Sequence, residues 1–232
     1  MTDSLSLVVP VYNEEENLED FISNVRDYFS NFKRDYEVIF VDDGSVDSSV
    51  DVINSFKEDY MRIVRHKENK GYGEALKTGF RKSRFEWVAY IDGDNQFEVE
   101  TLDKLIEYSE DYDMVIGNRE TREDDKSRII VGKGFNVLVK KYLGIKYEDV
   151  DCGIKLFRKE ILNQTNLNSK RTLDAELLAK ALDKDFDIKQ VDVNHHERSE
   201  GESEASGLLG VRIPLIIITL KELIQIKKEI KS

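Results

Sequence analysis

The chain has 232 residues, 40% of them hydrophobic, enough for one full-sized core with an appendage, and it carries a formal net charge of −12 with a pI near 4.9. That charge argues against a general electrostatic partnership with nucleic acid, because most of the surface would repel a polyanion. A single cysteine, Cys152, excludes an internal disulfide and suits a reducing compartment.

The N-terminus MTDSLSLVVPVY has no basic region followed by a sufficient apolar core, so no secretory signal is expected. No stretch reaches the ~20 apolar residues that a membrane span needs, and a cytoplasmic protein is expected. Short apolar runs alternate with longer amphipathic ones, the pattern of βα units around a mostly parallel sheet. In order, the pattern predicts a strand at Leu5–Val11, a helix at Glu15–Phe29, a strand at Tyr36–Val41, a helix at Ser48–Lys57 and a strand at Met61–Arg65. A helix at Tyr72–Ser83, a strand at Trp87–Ile91, a helix at Val99–Glu110 and a strand at Met114–Gly117 come next. Right-handed crossovers then gather the loops after these strands on one sheet edge, where open α/β sheets bind ligands. Beyond residue 118 a charged loop leads to a helix at Gly134–Leu143, a strand at Gly153–Arg158, a helix at Asp174–Ala181 and a strand at Asp187–Val193. Residues 194–207 have almost no apolar content and read as a mobile loop. Two units are expected: a catalytic domain over 1–207 and a C-terminal amphipathic helix over 208–232.

Three strand ends carry polar clusters: PVYNEEEN (10–17), VDDGS (41–45) and IDGDNQ (91–96). Each alone is also what turns and helix N-caps are made of. Together on one edge, their carboxylates would repel one another and raise their own pKa values unless a cation or hydrogen-bond donors offset them. Asp92, Asp94 and Gln96 are hard oxygen donors suited to Mg²⁺ or Mn²⁺, with Gly93 allowing the turn between the acids. The tandem His195-His196 with Glu197 reads as a loop surface, since adjacent residues seldom converge on one ion.

In order along the chain, VVPVYNEEENL, VDDGSVDSS, ENKGYGEALKTGF, IDGDNQF, GNR, DCGIKLFRK, LDAELL and RSEGES resemble the blocks of family 2 glycosyltransferases. Within that family they look most like polyprenyl-phosphate sugar transferases of the dolichyl-phosphate mannose synthase type, over roughly residues 5–207. The resemblance implies a GT-A (Rossmann-like) α/β fold with a nucleoside-diphosphate sugar over the C-terminal strand edge. By position it implies that Pro10, Tyr12 and Glu14 line the base pocket and that Asp43 contacts the nucleoside. Asp92 would sit by the ribose or the metal, and Asp94 and Gln96 would ligate the ion bridging the diphosphate. Gly71 and Gly73 would belong to a strand-to-helix entry rather than a phosphate cradle.

The implied activity is metal-dependent, inverting transfer of a hexose from GDP-mannose or a UDP-sugar to dolichyl or polyprenyl phosphate at the inner membrane face. Asp92, Asp94 and Arg119 would be the catalytic residues. A lipid phosphate is already anionic and needs no base, but it needs cations to bring two anions together. Residues 118–141 hold seven Arg/Lys against four acids, and 212–232 hold five against two; such islands mark either anion contacts or solvated helix faces. Arg119, Arg128, Lys133 and Arg198 are the candidates for holding the acceptor phosphate. The chain departs from the family at Glu204, where lysine is usual, which puts phosphate contact by that loop tip in doubt.

An acceptor hydroxyl would instead need a base, for which Asp174 and Glu176 are candidates; a helix start also favours these residues through its dipole. Asp151 is ambiguous in the same way, and Cys152 reads as a small core or pocket residue. Three readings thus stand: transfer to a lipid phosphate, transfer to a saccharide hydroxyl, and non-catalytic nucleotide-sugar binding. In the tail, Ile213, Ile216, Ile217, Leu220 and Ile224 form an apolar stripe with lysines at its end. It fits peripheral contact with a membrane headgroup region, or packing on the domain or a second copy.

Overall fold

The computed structural model describes residues 4–119, 126–196 and 213–230, leaving out the side chains of 126–131, 133 and 213–215. Seven strands form one sheet. They are β1 (Ser4–Val11), β2 (Asp35–Asp42), β3 (Met61–Arg65), β4 (Trp87–Ile91), β5 (Met114–Arg119), β6 (Ile154–Arg158) and β7 (Ile188–Val193), in the order β3-β2-β1-β4-β6-β5-β7. All neighbours are parallel except β6, which runs antiparallel to both β4 and β5. Eight helices accompany them: α1 (Glu15–Ser30), α2 (Ser49–Phe56), α3 (Tyr72–Lys82), α4 (Thr101–Glu107), α5 (Lys126–Leu143), α6 (Lys159–Gln164), α7 (Leu173–Asp183) and α8 (Ile213–Glu229).

The sheet is buried on both faces, which is why its central strands read as continuous apolar runs. The period of two still sorts them: Leu5, Leu7 and Val9 of β1 pack with Leu18, Phe21 and Ile22 of α1, whereas Val8 faces Ala75, Leu76 and Phe80 of α3. Each such buried side chain stabilises the fold by about 1.5–3 kcal/mol. Leu223 and Ile226 of α8 share the second core cluster with Val139 and Leu143 of α5, so the C-terminal helix contributes to the core it was expected to append to.

Three elements differ from the sequence reading. Helix α5 begins eight residues before Gly134, with glycines 132 and 134 inside the continuing helix. Helix α4 is shorter than expected, with residues 108–111 in turns. The short α6 was not expected. The reversal of β6 has the greatest consequence for the site: Ile154 pairs with Ile91, so this strand starts at the edge where β4 ends.

Candidate active site

The ends of β1, β2, β4 and β5 and the start of β6 meet on one edge of the sheet. Asp92, the first residue beyond β4, donates its backbone N–H to Gly153 O at 3.2 Å. Its carboxylate accepts from the Tyr72 hydroxyl at 2.9 Å. A Cβ on Gly153 would meet Asp92 Oδ2 at 1.9 Å, so only glycine lets the reversed strand pass this close. Burial, then the facing charge of Asp94, pushes Asp92 up to about 8; Asp174 adds to the shift, while the Tyr72 hydrogen bond and Lys155 oppose it.

Gly93 was expected to supply the turn through backbone freedom, but the left-handed residue here is Asn95, at φ 60°. Gly93 serves packing instead, since a Cβ there would press on Val9 at 3.1 Å. Asn95 ties the loop to α1 by donating to Asn17 O at 2.8 Å. Asp94 accepts from the Gln96 backbone N–H at 3.1 Å. Gln96 donates its amide N–H to His196 O at 3.2 Å, which leaves its side-chain oxygen as the acceptor it can offer a ligand. His195, expected on a loop surface, is buried with its ring edge-on to Phe97, and His196 N returns a bond to Gln96 O.

Beneath the carboxylates lies a floor that pattern reading missed. Lys155, fully buried, donates to Asp174 at 2.5 Å and to Cys152 O at 2.6 Å and lies over the Tyr90 ring. Tyr90 donates its hydroxyl to the same Asp174 carboxylate. Asp151 is raised to about 7 by burial first and Asp174 second, with Lys155 opposing. The legible signal was the lysine inside the apolar run GIKLF, because a buried ammonium requires a partner.

The β1 and β2 loops, where the family resemblance places the nucleoside, are stitched together. Asn13 N donates to Ser45 Oγ at 3.0 Å, Val46 N to Asn13 Oδ1 at 2.9 Å and Glu14 N to Ser49 Oγ at 2.9 Å. Pro10, Tyr12 and Glu14 are half-buried along this seam, and Glu14 accepts from Asn17 at 2.8 Å. Asp43 is buried and accepts from His66 Nδ1 at 2.6 Å, Lys70 N at 3.0 Å and Gly71 N at 2.7 Å. Gly71 caps α3 and Gly73 lies in its first turn, as the strand-to-helix entry requires.

Arg119, expected to meet an acceptor phosphate, grips Asp149 through Nε at 2.6 Å and Nη2 at 2.8 Å. Arg128 and Lys133 lie in α5 with side chains outside the described set, and Arg198 and Glu204 are outside the described residues. Glu176 is buried. It accepts from Asn168 N and Ser169 N and pairs with Lys180 at 2.7 Å. Cys152 is fully buried in the core against Gly117, and burial pushes its thiol up to about 12.

The donor set at 92–96 fits a hard divalent cation, because burial and the facing Asp94 charge raise Asp92 and a cation placed there would favour its ionised form. Among the described residues no group of three or more His, Cys, Asp and Glu side chains gathers around one point. An ion held here would therefore draw remaining ligands from Gln96, water and substrate oxygens, the usual arrangement for Mg²⁺.

The model of glycosyl transferase family 2 matches residues 6–165. An undecaprenyl-phosphate 4-deoxy-4-formamido-L-arabinose transferase of Shewanella sediminis is 31% identical over 206 residues, covering 87% of this chain and 62% of that protein. Its counterpart in Pseudomonas fluorescens is 28% identical, covering 93% and 64%. The chain thus spans less than two thirds of the length of these curated relatives. Among solved structures, glucosyl-3-phosphoglycerate synthase from Mycobacterium tuberculosis, in complex with Mn²⁺, UDP and glucosyl-3-phosphoglycerate, aligns with a TM-score of 0.73 at 19% identity. The match covers 95% of this chain and 80% of that one, and the fold here is α/β and GT-A-like.

Proposed function

The chain belongs to glycosyltransferase family 2, and from that premise we propose that it moves a sugar from a nucleoside-diphosphate donor to a polyprenyl phosphate in one inverting displacement. The names of the curated relatives support the acceptor class. The complexes of the mycobacterial synthase with UDP and either Mn²⁺ or Mg²⁺ support the donor class and the ion. One observation carries the choice of acceptor: both residues expected as bases are already engaged. Asp174 accepts from Lys155 and Tyr90, and Glu176 from two backbone N–H groups and Lys180. A hydroxyl acceptor needs a base, whereas a phosphate attacks as the anion it already is.

Asp92, Asp94 and Gln96 would hold Mg²⁺ or Mn²⁺. The bound ion supplies a Lewis acid for the negative charge that develops on the departing diphosphate. Tyr72 and the Gly153 carbonyl fix Asp92, and Lys155 with Tyr90 fixes Asp174 under it, so the carboxylates are set before substrate arrives. Pro10, Tyr12, Glu14 and Asp43 form the nucleoside end. Arg119 is held by its Asp149 pair, so the phosphate contacts fall to Arg128, Lys133 and Arg198.

The test is a screen of GDP-mannose, UDP-glucose, UDP-N-acetylglucosamine and a UDP-linked 4-formamido-arabinose against a short polyprenyl phosphate and the matching alcohol, with and without Mn²⁺. Metal-dependent transfer to the phosphate alone is expected. Transfer to the alcohol or to a saccharide hydroxyl overturns the acceptor assignment. The candidate base for that second reading is Asp151, which burial and then the Asp174 charge raise toward neutrality and whose side chain is given to neither Lys155 nor Lys180. Asp151→Asn abolishing activity with a phosphate acceptor retained in binding would select it. Tight nucleotide binding with no transfer and no ion dependence would instead select a binding protein.

A further inference from the structure

Among the described residues, every exposed large hydrophobic side chain lies on α5 or α8, except Val46 and Tyr72. On α8, Ile216, Ile217, Leu220 and Ile224 fall within an arc of about 100°. These are four of the five stripe residues that the sequence shows, Ile213 having its side chain outside the described set, and they face outward, while Leu223 and Ile226 beside them enter the core. On α5, which packs against α8, Val137, Leu138 and Tyr142 are exposed in the same way. These side chains are 39–52% exposed, an apolar surface of a kind that marks an interaction site when contiguous.

The charges of the two helices are sorted as well. Helix α5 has no acidic residue. Both acids of α8 turn inward: Glu229 pairs with Lys180 at 2.5 Å, and Glu222 accepts from the backbone N–H groups of Lys170, Arg171 and Thr172 at 3.0, 3.1 and 3.0 Å. Lys141, Lys221 and Lys228 remain exposed beside the apolar residues. On a chain of net charge −12, this face joins apolar side chains to cations; neither helix turns a described acid outward, and the exposed Glu148 near α5 is paired with Lys140 at 2.9 Å.

We propose that this face of α5 and α8 seats on an anionic lipid bilayer, with the isoleucines and leucines in the headgroup boundary and the lysines on lipid phosphates. A second copy is the poorer occupant, because a twofold pairing sets these lysines against one another. Glu222 holds the face in register with the site. The loop it grips leads into Asp174, and Lys170 O accepts from Gly73 N at 3.2 Å, next to Tyr72 on Asp92. Glu222 therefore ties the helix that carries this face to the loop beside the carboxylate site. The surface deepens the polyprenyl phosphate reading and rests on it for the orientation alone.

The experiment is flotation of the full chain with phosphatidylcholine vesicles, with and without phosphatidylglycerol. It compares wild type, Leu220→Glu/Ile224→Glu and Lys221→Glu/Lys228→Glu. Wild type is expected to float with the anionic vesicles and to release at high salt, and each double variant to bind about tenfold more weakly or worse. Thermal melting is expected to be unchanged, since the substituted side chains are exposed. Equal binding by all three proteins, or none by wild type, overturns the proposal. So does a wild-type dimer that Leu220→Glu/Ile224→Glu dissociates without any vesicle binding. Vesicle binding that maps to these residues while no sugar reaches polyprenyl phosphate leaves the surface standing and removes the acceptor reading.

Discussion

Two acidic turns close strands of one sheet, Asp42-Asp43 at the end of β2 and Asp92–Asp94 after β4, and their electrostatic states differ. Asp43 is saturated by His66 and two backbone N–H groups, and Asp42 accepts from Ser45 N at 3.1 Å and pairs with Arg65 at 3.0 Å. Asp92 receives one tyrosine hydroxyl on its carboxylate, and burial first, then the facing Asp94 and Asp174, raise the cost of its charge. The first turn uses its carboxylates to organise its own loops. The second holds carboxylates in excess of their compensation, which is the condition for binding a cation.

The largest expected effect sets the two turns directly against each other. Asp94→Asn should lower turnover by about 10²–10³-fold and abolish Mn²⁺ binding in calorimetry while melting like wild type. Asp43→Asn should keep the ion and lose about 1–3 kcal/mol of stability by denaturant titration, because one acceptor oxygen becomes an NH2 group facing its N–H donors. If Asp43→Asn loses the ion and Asp94→Asn keeps it, the division of roles is reversed.

Next comes the floor. Lys155→Met strands the Asp174 carboxylate and should cost about 3–5 kcal/mol of stability. Lys155→Met/Asp174→Asn should recover part of that loss, since the buried charge is gone; a double variant weaker than the sum of the singles would show that the pair is not the unit.

A smaller effect is in pH. Asp92 is raised from its ordinary 3.8 to about 8, so the folded chain binds its proton more tightly than the unfolded chain does. Without divalent ions, stability should therefore fall as pH rises from about 4 toward 8. Asp92→Asn should flatten that slope and Mg²⁺ should restore stability at the alkaline end, both read from thermal melts. The smallest effect is an absence of reaction: Cys152, buried and pushed up to about 12, should resist maleimide at pH 8 in the folded chain, and rapid labelling would place it at an open pocket.

Much of the architecture was legible because it depends on local pattern. The apolar runs of β1, β3 and β4 and the three- and four-residue spacing of α1 and α3 mark elements wherever their partners lie. The direction of β6 was not legible, since GIKLFR alternates identically whether the strand runs up or down. Nor was the state of Arg119, whose guanidinium reads as available until Asp149, thirty positions on, is brought beneath it. Asp174 and Glu176 read as equivalent acids at a helix start; the fold sends one into the site under Asp92 and the other behind the 168–169 loop.

The amino-acid order alone carried the family blocks, the sheet edge on which they gather and Asp92, Asp94 and Gln96 as candidate oxygen donors, because residue types and their spacing are properties of neighbours in the chain. Which carboxylates are compensated, which arginine is spent, and which face of α8 meets solvent were settled by packing. Compensation of a buried charge requires a partner within a few ångströms, and Lys155, Tyr72, Tyr90 and Glu222 reach theirs only across 19 to 84 positions of sequence once the sheet has closed.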